Sequence, residues 1–209
     1  EVVNGSSLIT QTRVEKYGVE LKNVLTGFKY IGSIITDLEK HMNRSKFVFG
    51  FEESYGYLAG TFVRDKEAVS TSLLIAEMTE YYKTLNKTLI DALDDLYEEF
   101  GCYKHRMLDF YFEGAEGDKK MQDLLEHFRT HNFKEIIGYK VLNKIDYLEG
   151  INGLPKANVL EFNLEGGNQL IIRPSGTEPK VKVYLTAVGH EKEALRLLDR
   201  FENWFNAKL

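Results

Sequence analysis

With a single cysteine, Cys102, the 209-residue chain can form no internal disulfide, which fits a reducing, cytosolic setting. Cys102 sits between Gly101 and Tyr103 and reads as inert packing. Long apolar runs are missing too. None approaches the roughly 18 residues of a membrane span, and the opening residues do not have the build of a secretory leader, so a cytoplasmic protein is expected. Positive charge is in deficit: 27 Lys and Arg against 32 Asp and Glu give a net charge of -5. That denies a nucleic acid or an anionic membrane the basic face that counterion release requires, although a small phosphorylated molecule needs only local positive charge. No segment is of low complexity and no internal repeat is present. Hydrophobic residues at 43% and charged residues at 28% are ordinary for a folded domain, and the length has room for one large domain or two of about 100 residues.

Proline is confined to three positions, and two of them, Pro174 and Pro179, bracket one loop. The β-branched run Leu170-Ile171-Ile172-Arg173 enters it and the alternating run Val181-Lys182-Val183-Tyr184 leaves it, a strand-loop-strand pattern. The prolines stiffen its shoulders, and Gly176 permits a turn that a residue with a Cβ resists. Arg173 offers a planar fork for two oxygens, Ser175 and Thr177 offer hydroxyls, and the backbone N–H groups of Ser-Gly-Thr can converge on one anion. Lys180 can act only as a point charge on the rim. From residue chemistry alone, a phosphate cradle and a plain hairpin with a solvent-facing Arg173 account for the segment equally well.

The string Arg173-Pro-Ser-Gly-Thr-Glu-Pro-Lys180 resembles the C-terminal phosphate-binding loop of the α-D-phosphohexomutases, the phosphoglucomutase and phosphomannomutase superfamily. The resemblance implies that Arg173, Ser175, Gly176 and Thr177, with Lys180 at the edge, hold the non-reacting phosphate of a phosphosugar. Two further segments resemble the same superfamily. Gly50-Phe-Glu-Glu-Ser-Tyr-Gly56 is similar to its sugar-binding loop, in the longer form seen in bacterial phosphoglucomutases, which implies contacts from Glu52 and Ser54 to sugar hydroxyls. Adjacent residues of an extended chain face opposite ways, so Glu53 points elsewhere. Thr26-Gly-Phe-Lys29 resembles the segment that puts a lysine into the active-site cleft, which gives Lys29 a supporting electrostatic role.

In chain order, Val2-Val3 ends a strand and Ser6-Ser7 caps a helix to about Tyr17. A short strand covers Val19 to Leu25, and a helix with Ile31, Ile34, Ile35 and Leu38 inward runs from about Tyr30 to His41. A strand spans Lys46 to Phe51, and a helix from about Glu67 to Tyr82 turns Leu73, Leu74 and Met78 inward. Arg64 either reaches the cleft or simply opens that helix. A last helix of this part is capped at Thr88, with Asp91 in capping-box position, and ends at Gly101. Residues 1–102 are thus expected to form a three-layer α/β domain. Residues 103–209 are expected to form an α+β domain, with a mostly antiparallel sheet carrying helices on one face. Its strands are Tyr103–Glu113, Lys140–Tyr147, Val159–Leu164, Leu170–Arg173 and Val181–Val188; its helices are Asp118–His131 and Glu191–Ala207; Pro155 lies in a loop.

Two other constellations carry less. His127 and His131 stand at metal-binding spacing on one helix, but no further ligand completes a set, so no metal site is expected. Glu52 and Glu53 are adjacent, whereas a glycosidase pair must straddle a bond at roughly 5 to 9.5 Å. The superfamily's phosphoserine segment, of Thr-Ala-Ser-His-Asn type, and its Asp-x-Asp-x-Asp-Arg magnesium loop do not occur in the chain. The resemblance therefore covers only the third and fourth domains of a mutase, a fragment expected to be inactive alone. The intact enzyme would interconvert hexose 1-phosphate and hexose 6-phosphate through a bisphosphorylated intermediate, with Mg2+, a sugar bisphosphate activator and the missing N-terminal half as partner. The alternatives are a non-catalytic phosphosugar-binding module and a purely structural α/β piece. Glucose, mannose and pentose substrates are not distinguished.

Overall fold

A computed structural model describes residues 2–3, 16–25, 27–42, 46–52, 56–151, 155–176 and 178–209. The chain divides into two compact units, Glu1–Phe100 and Gly101–Leu209.

In the first unit, β1 (Val2–Val3) runs parallel to β2 (Leu21–Lys22). Helix α1 (Phe28–Lys40) follows, and β3 (Gly50–Glu52) and β4 (Gly56–Leu58) pair as an antiparallel hairpin. Helices α2 (Ala68–Thr84) and α3 (Leu89–Phe100) complete the unit. The expected Ser6-capped helix lies, up to residue 15, outside the described residues. Helix α1 buries Phe28, Ile31, Gly32 and Ile35, the i, i+3, i+4, i+7 positions of one stripe, against Phe47 and Leu58. The strand expected from Lys46 is confined to Gly50–Glu52. Gly50 explains its seating: a Cβ there would stand 2.8 Å from Ile31 Cγ2, so only glycine lets the hairpin press onto α1.

Helices α2 and α3 are well capped. The Glu67 carboxylate accepts the Val69 and Ser70 N–H groups at 2.7 Å each, and those bonds, with the Ser70 hydroxyl foremost, hold its pKa below the ordinary glutamate value. Thr88 and Asp91 form the reciprocal box, Thr88 N–H to Asp91 Oδ2 at 2.7 Å and Asp91 N–H to Thr88 Oγ1 at 3.1 Å. The inward face assigned to α2 is a different matter. Leu73 is 61% exposed, Leu74 and Met78 are exposed as well, and Thr71 is the buried residue of the helix among those described. The cause is distribution: Val69, Leu73, Leu74, Ile75, Met78 and Tyr81 are spread around the helix and make no single stripe.

The second unit is one six-stranded sheet, order β5-β10-β9-β8-β7-β6, with every neighbouring pair antiparallel. Its strands are β5 (Cys102–Tyr111), β6 (Glu135–Ile136), β7 (Tyr139–Asp146), β8 (Leu160–Leu164), β9 (Gln169–Pro174) and β10 (Lys180–Gly189). Helices α4 (Gly114–Thr130) and α5 (Glu191–Asn206) cover one face. That face is legible as alternation: Leu160, Phe162 and Leu164, Leu170 and Ile172, then Val181, Val183, Leu185 and Ala187 are all buried. They meet Leu124, Leu125 and Phe128 of α4 and Ala194, Leu197, Leu198, Phe201 and Phe205 of α5. Each fully buried Val, Leu, Ile or Phe among them contributes about 1.5–3 kcal/mol. The opposite face carries Glu161, Gln169, Arg173, Lys182 and Thr186. No described helix is long and apolar enough to cross a membrane.

Candidate functional site

The site residues fall into two loops, one in each unit. In the first unit, Gly27 enters α1 at φ 126°, in the region that glycine tolerates best. Lys29 then stands exposed on the first turn, its Nζ 5.0 Å from the Tyr30 ring centre. Glu52 ends β3 opposite Gly56. It is only 7% exposed and has no hydrogen bond or ion pair among the described residues. A buried carboxylate is costly unless a donor meets it. Ser54, its expected companion, lies outside the described residues, as do Glu53 and Thr26.

Lys66 is a residue that sequence reasoning missed. A Cβ on Gly56 would meet its stem at 2.9–3.2 Å, so the lysine lies flat on the end of the Glu52 hairpin. Its ammonium is 3.1 Å from Asp65 Oδ1 and 5.2 Å from the Phe28 ring centre. The signal was present as the third member of the run Arg64-Asp65-Lys66-Glu67, which reads as a charged helix start. Arg64 itself pairs with Glu39.

In the second unit, Arg173 and Lys182 face each other across β9 and β10. Directly opposed residues of an antiparallel pair share a face, so two half-buried cations stand side by side on the open face of the sheet. Neither forms an ion pair among the described residues. Like charges so placed repel one another, and on its other side Lys182 stands opposite Asp109 of β5. Lys182 was also missed; period-two alternation put it on one face, but only the register sets it beside Arg173.

After β9, the described residues of the loop are tied into the fold. The Ser175 N–H donates to the Lys180 carbonyl at 2.8 Å, which removes that group from any anion cradle. The Ser175 hydroxyl oxygen accepts the Glu178 N–H at 3.3 Å. Gly176 is not in the left-handed region, and a Cβ there would have nothing within 4 Å; glycine keeps the loop surface open here and does not serve the turn. Thr177 lies outside the described residues. Lys180, expected on the rim, is 6% exposed. Its Nζ is 2.8 Å from Glu178 Oε2, 3.6 Å from Asp109 Oδ2 and 3.3 Å from the Tyr111 hydroxyl. The Glu178 hydrogen bond foremost raises its pKa above that of a free lysine, and the same bond lowers that of Glu178. Its charge is satisfied internally.

Among the described residues no three His, Cys, Asp or Glu side chains come together as a metal ion would require. The His127 and His131 rings stack at 5.2 Å and lean on Phe133, an aromatic packing arrangement.

Two family models match the chain. One, described as phosphoglucomutase/phosphomannomutase, alpha/beta/alpha domain III, covers residues 4–100, and the other, the phosphoglucomutase/phosphomannomutase C-terminal domain, covers residues 135–203. Phosphoglucomutase of Staphylococcus aureus strain MSSA476 is 39% identical over 193 residues, 87% of this chain and 34% of that protein. Its counterpart from strain N315 is 38% identical over 191 residues, with the same coverage. The chain thus spans about a third of the length of the curated relatives it matches, 34% in each of these. Among solved structures, the open form of the Paramecium exocytosis-sensitive phosphoprotein parafusin, a phosphoglucomutase, superposes with a TM-score of 0.67 at 18% identity. It covers 96% of this chain and 36% of its own, which speaks to the fold.

Proposed function

The chain belongs to the phosphoglucomutase/phosphomannomutase family, and we propose that it supplies the substrate-holding part of a phosphosugar mutase. That enzyme interconverts a hexose 1-phosphate and a hexose 6-phosphate through a bisphosphorylated intermediate. The observation that supports the reading is Arg173 and Lys182 side by side across β9 and β10, without an ion pair among the described residues. Arginine's fork can take two phosphate oxygens while the lysine adds a point charge. Glu52, buried and without a donor among the described residues, accepts hydrogen bonds from sugar hydroxyls, and Ser54 is assigned the same task. Lys29 gives electrostatic support at the reacting end.

Phosphoryl transfer depends on positioning and charge neutralisation, and this chain's residues supply those. The bisphosphorylated intermediate must bind in two orientations, so the Arg173 loop has to recognise phosphate and not the carbon that bears it. Binding both orientations alike lowers the cost of turning over. The Mg2+, the reacting serine and the site of the sugar bisphosphate activator are assigned to the remainder of the enzyme, since the described residues do not fit a metal. We place the protein in the cytoplasm and assign it neither nucleic-acid nor membrane partners.

The test is an NMR titration of the labelled chain with glucose 1,6-bisphosphate, using glucose and inorganic phosphate as controls. Phosphate compounds are expected to perturb Arg173 to Thr177, and the Glu52 hairpin should respond only when sugar is attached. Silence at both loops up to high millimolar ligand would remove the reading.

A further inference from the structure

We infer that Lys180 is a positioning residue, an internal pin that holds the Ser175–Pro179 turn in its binding shape without touching the ligand. The inference rests on the phosphate reading of that loop and changes one member of the ligand set. Lys180 opens β10 directly opposite Tyr111, the last residue of β5. Its main chain closes the turn twice: its carbonyl accepts the Ser175 N–H, and its own N–H donates to the Glu178 carbonyl, both at 2.8 Å. One step outward, the Phe112 N–H donates to the Pro179 carbonyl at 2.8 Å. The side chain then spans from the turn to β5, with Glu178 at 2.8 Å on one side and Asp109 at 3.6 Å and the Tyr111 hydroxyl at 3.3 Å on the other. The ammonium also lies 5.1 Å from the centre of the Tyr111 ring.

Charge decides why the pin stays in place. If Lys180 swung out to a phosphate, Asp109 and Glu178 would lose the cation they share, leaving them close to the incoming anion with Lys182, opposite Asp109 across β5 and β10, as the nearby positive charge. Withdrawing a buried lysine side chain from two partly exposed carboxylates costs more than a new exposed contact repays. Its raised pKa keeps it charged throughout the physiological range. Ser175, Glu178 and Pro179 are therefore held before any ligand arrives, and the entropy of ordering them is not charged to binding. The positive charge that meets phosphate comes from Arg173 and Lys182.

The decisive experiment uses the sign of two charge removals. Glu178→Gln and Asp109→Asn each take a negative charge away from the neighbourhood of an anion site, which by electrostatics alone tightens anion binding. The pin demands the reverse: each variant should bind inorganic phosphate about three- to tenfold more weakly in NMR titrations of the 209-residue chain. Trp204 emission reports that the second unit stays folded. Independently of any ligand, Lys180→Met should speed amide hydrogen exchange at Ser175 by about tenfold or more. Equal or tighter phosphate binding in both carboxylate variants would return Lys180 to the ligand set and overturn the inference, as would unchanged Ser175 exchange in Lys180→Met. A wild-type loop silent to phosphate, with Ser175 exchange accelerated in the variant, would overturn the phosphate reading and leave the pin standing.

Discussion

The two units bury their apolar residues in opposite ways. The second gathers α4, α5 and one face of the sheet into a single cluster in which Phe128, Phe162, Phe201 and Phe205 are fully buried. Aromatic contacts tie it together, Phe128 stacking on Phe205 at 5.3 Å and meeting Trp204 at 5.9 Å. Among the described residues the first closes over the smaller buried cluster of Phe28, Ile31, Ile35, Phe47 and Leu58, with Val24, Ile34 and Leu38 packed against it, while α2 leaves Val69 80% exposed. Their site loops differ in the same sense: Lys180 is satisfied by three neighbours, whereas Glu52 is buried without one among the described residues. A unit that completes its own core can present a rigid loop. A unit whose helices are apolar on several sides is suited to burial within a larger body.

That contrast can be broken most sharply in the second core. Phe128→Ala should cost about 3–5 kcal/mol, by loss of transfer energy and creation of a cavity. Trp204, the only tryptophan of the chain, lies against Phe128, so its emission in a urea titration reads this unit selectively. Ile35→Ala in the first core should cost about 2–4 kcal/mol, lowering the helical circular dichroism transition while leaving the Trp204 midpoint in place. Coincident shifts of both signals in either variant would mean that the units do not melt separately.

Glu52→Gln sharpens the comparison of loops. Replacing a buried, donor-less carboxylate with a neutral amide should raise the thermal midpoint of the first unit, by a stabilisation of about 1 kcal/mol. The same change should erase the response of the hairpin to sugar phosphates. A loss of stability would show that Glu52 is held by the fold and not reserved for a ligand. Smaller again, Leu73→Gln on α2 should alter stability by no more than about 0.5 kcal/mol, because that side chain is 61% exposed. A larger loss in chemical denaturation would put Leu73 inside a core.

These differences also mark what could be read from the residues. The alternation of β8, β9 and β10 and the 194, 197, 198, 201, 205 spacing of α5 are strong local signals, and the elements formed there within one or two residues of expectation. The face of α2 was not legible, since six large apolar residues spread around a helix select no direction. The Thr88 and Asp91 box is local and was legible. The internal partners of Lys180 on β5 were not legible, because Asp109 and Tyr111 lie about 70 positions away in sequence and only the β5–β10 register brings them together. The pairing of Arg173 with Lys182 was hidden for the same reason, since alternation gives a face but not a neighbour.

The smallest effect is invisible at neutral pH and belongs to the second unit alone. The Tyr147 hydroxyl donates to Glu161 Oε2 at 2.7 Å, and Glu161 Oε1 accepts from Asn163 at 2.7 Å and Gln169 at 3.2 Å. Burial first, then the Glu161 charge and this hydrogen bond, push the phenol well above the ordinary tyrosine value. The folded state therefore holds its proton more tightly than the unfolded chain does. The resulting stability is fully present below the unfolded value of about 10 and is lost as pH rises towards the folded one. Ultraviolet titration should show it: Tyr147→Phe should leave the tyrosinate absorbance gained between about pH 9 and 11 unchanged, because Tyr147 contributes nothing there. A smaller gain in the variant would mean that Tyr147 ionises with the exposed tyrosines. Stability lost on alkalinisation should accordingly appear in the Trp204 signal of the wild type and be reduced in Tyr147→Phe.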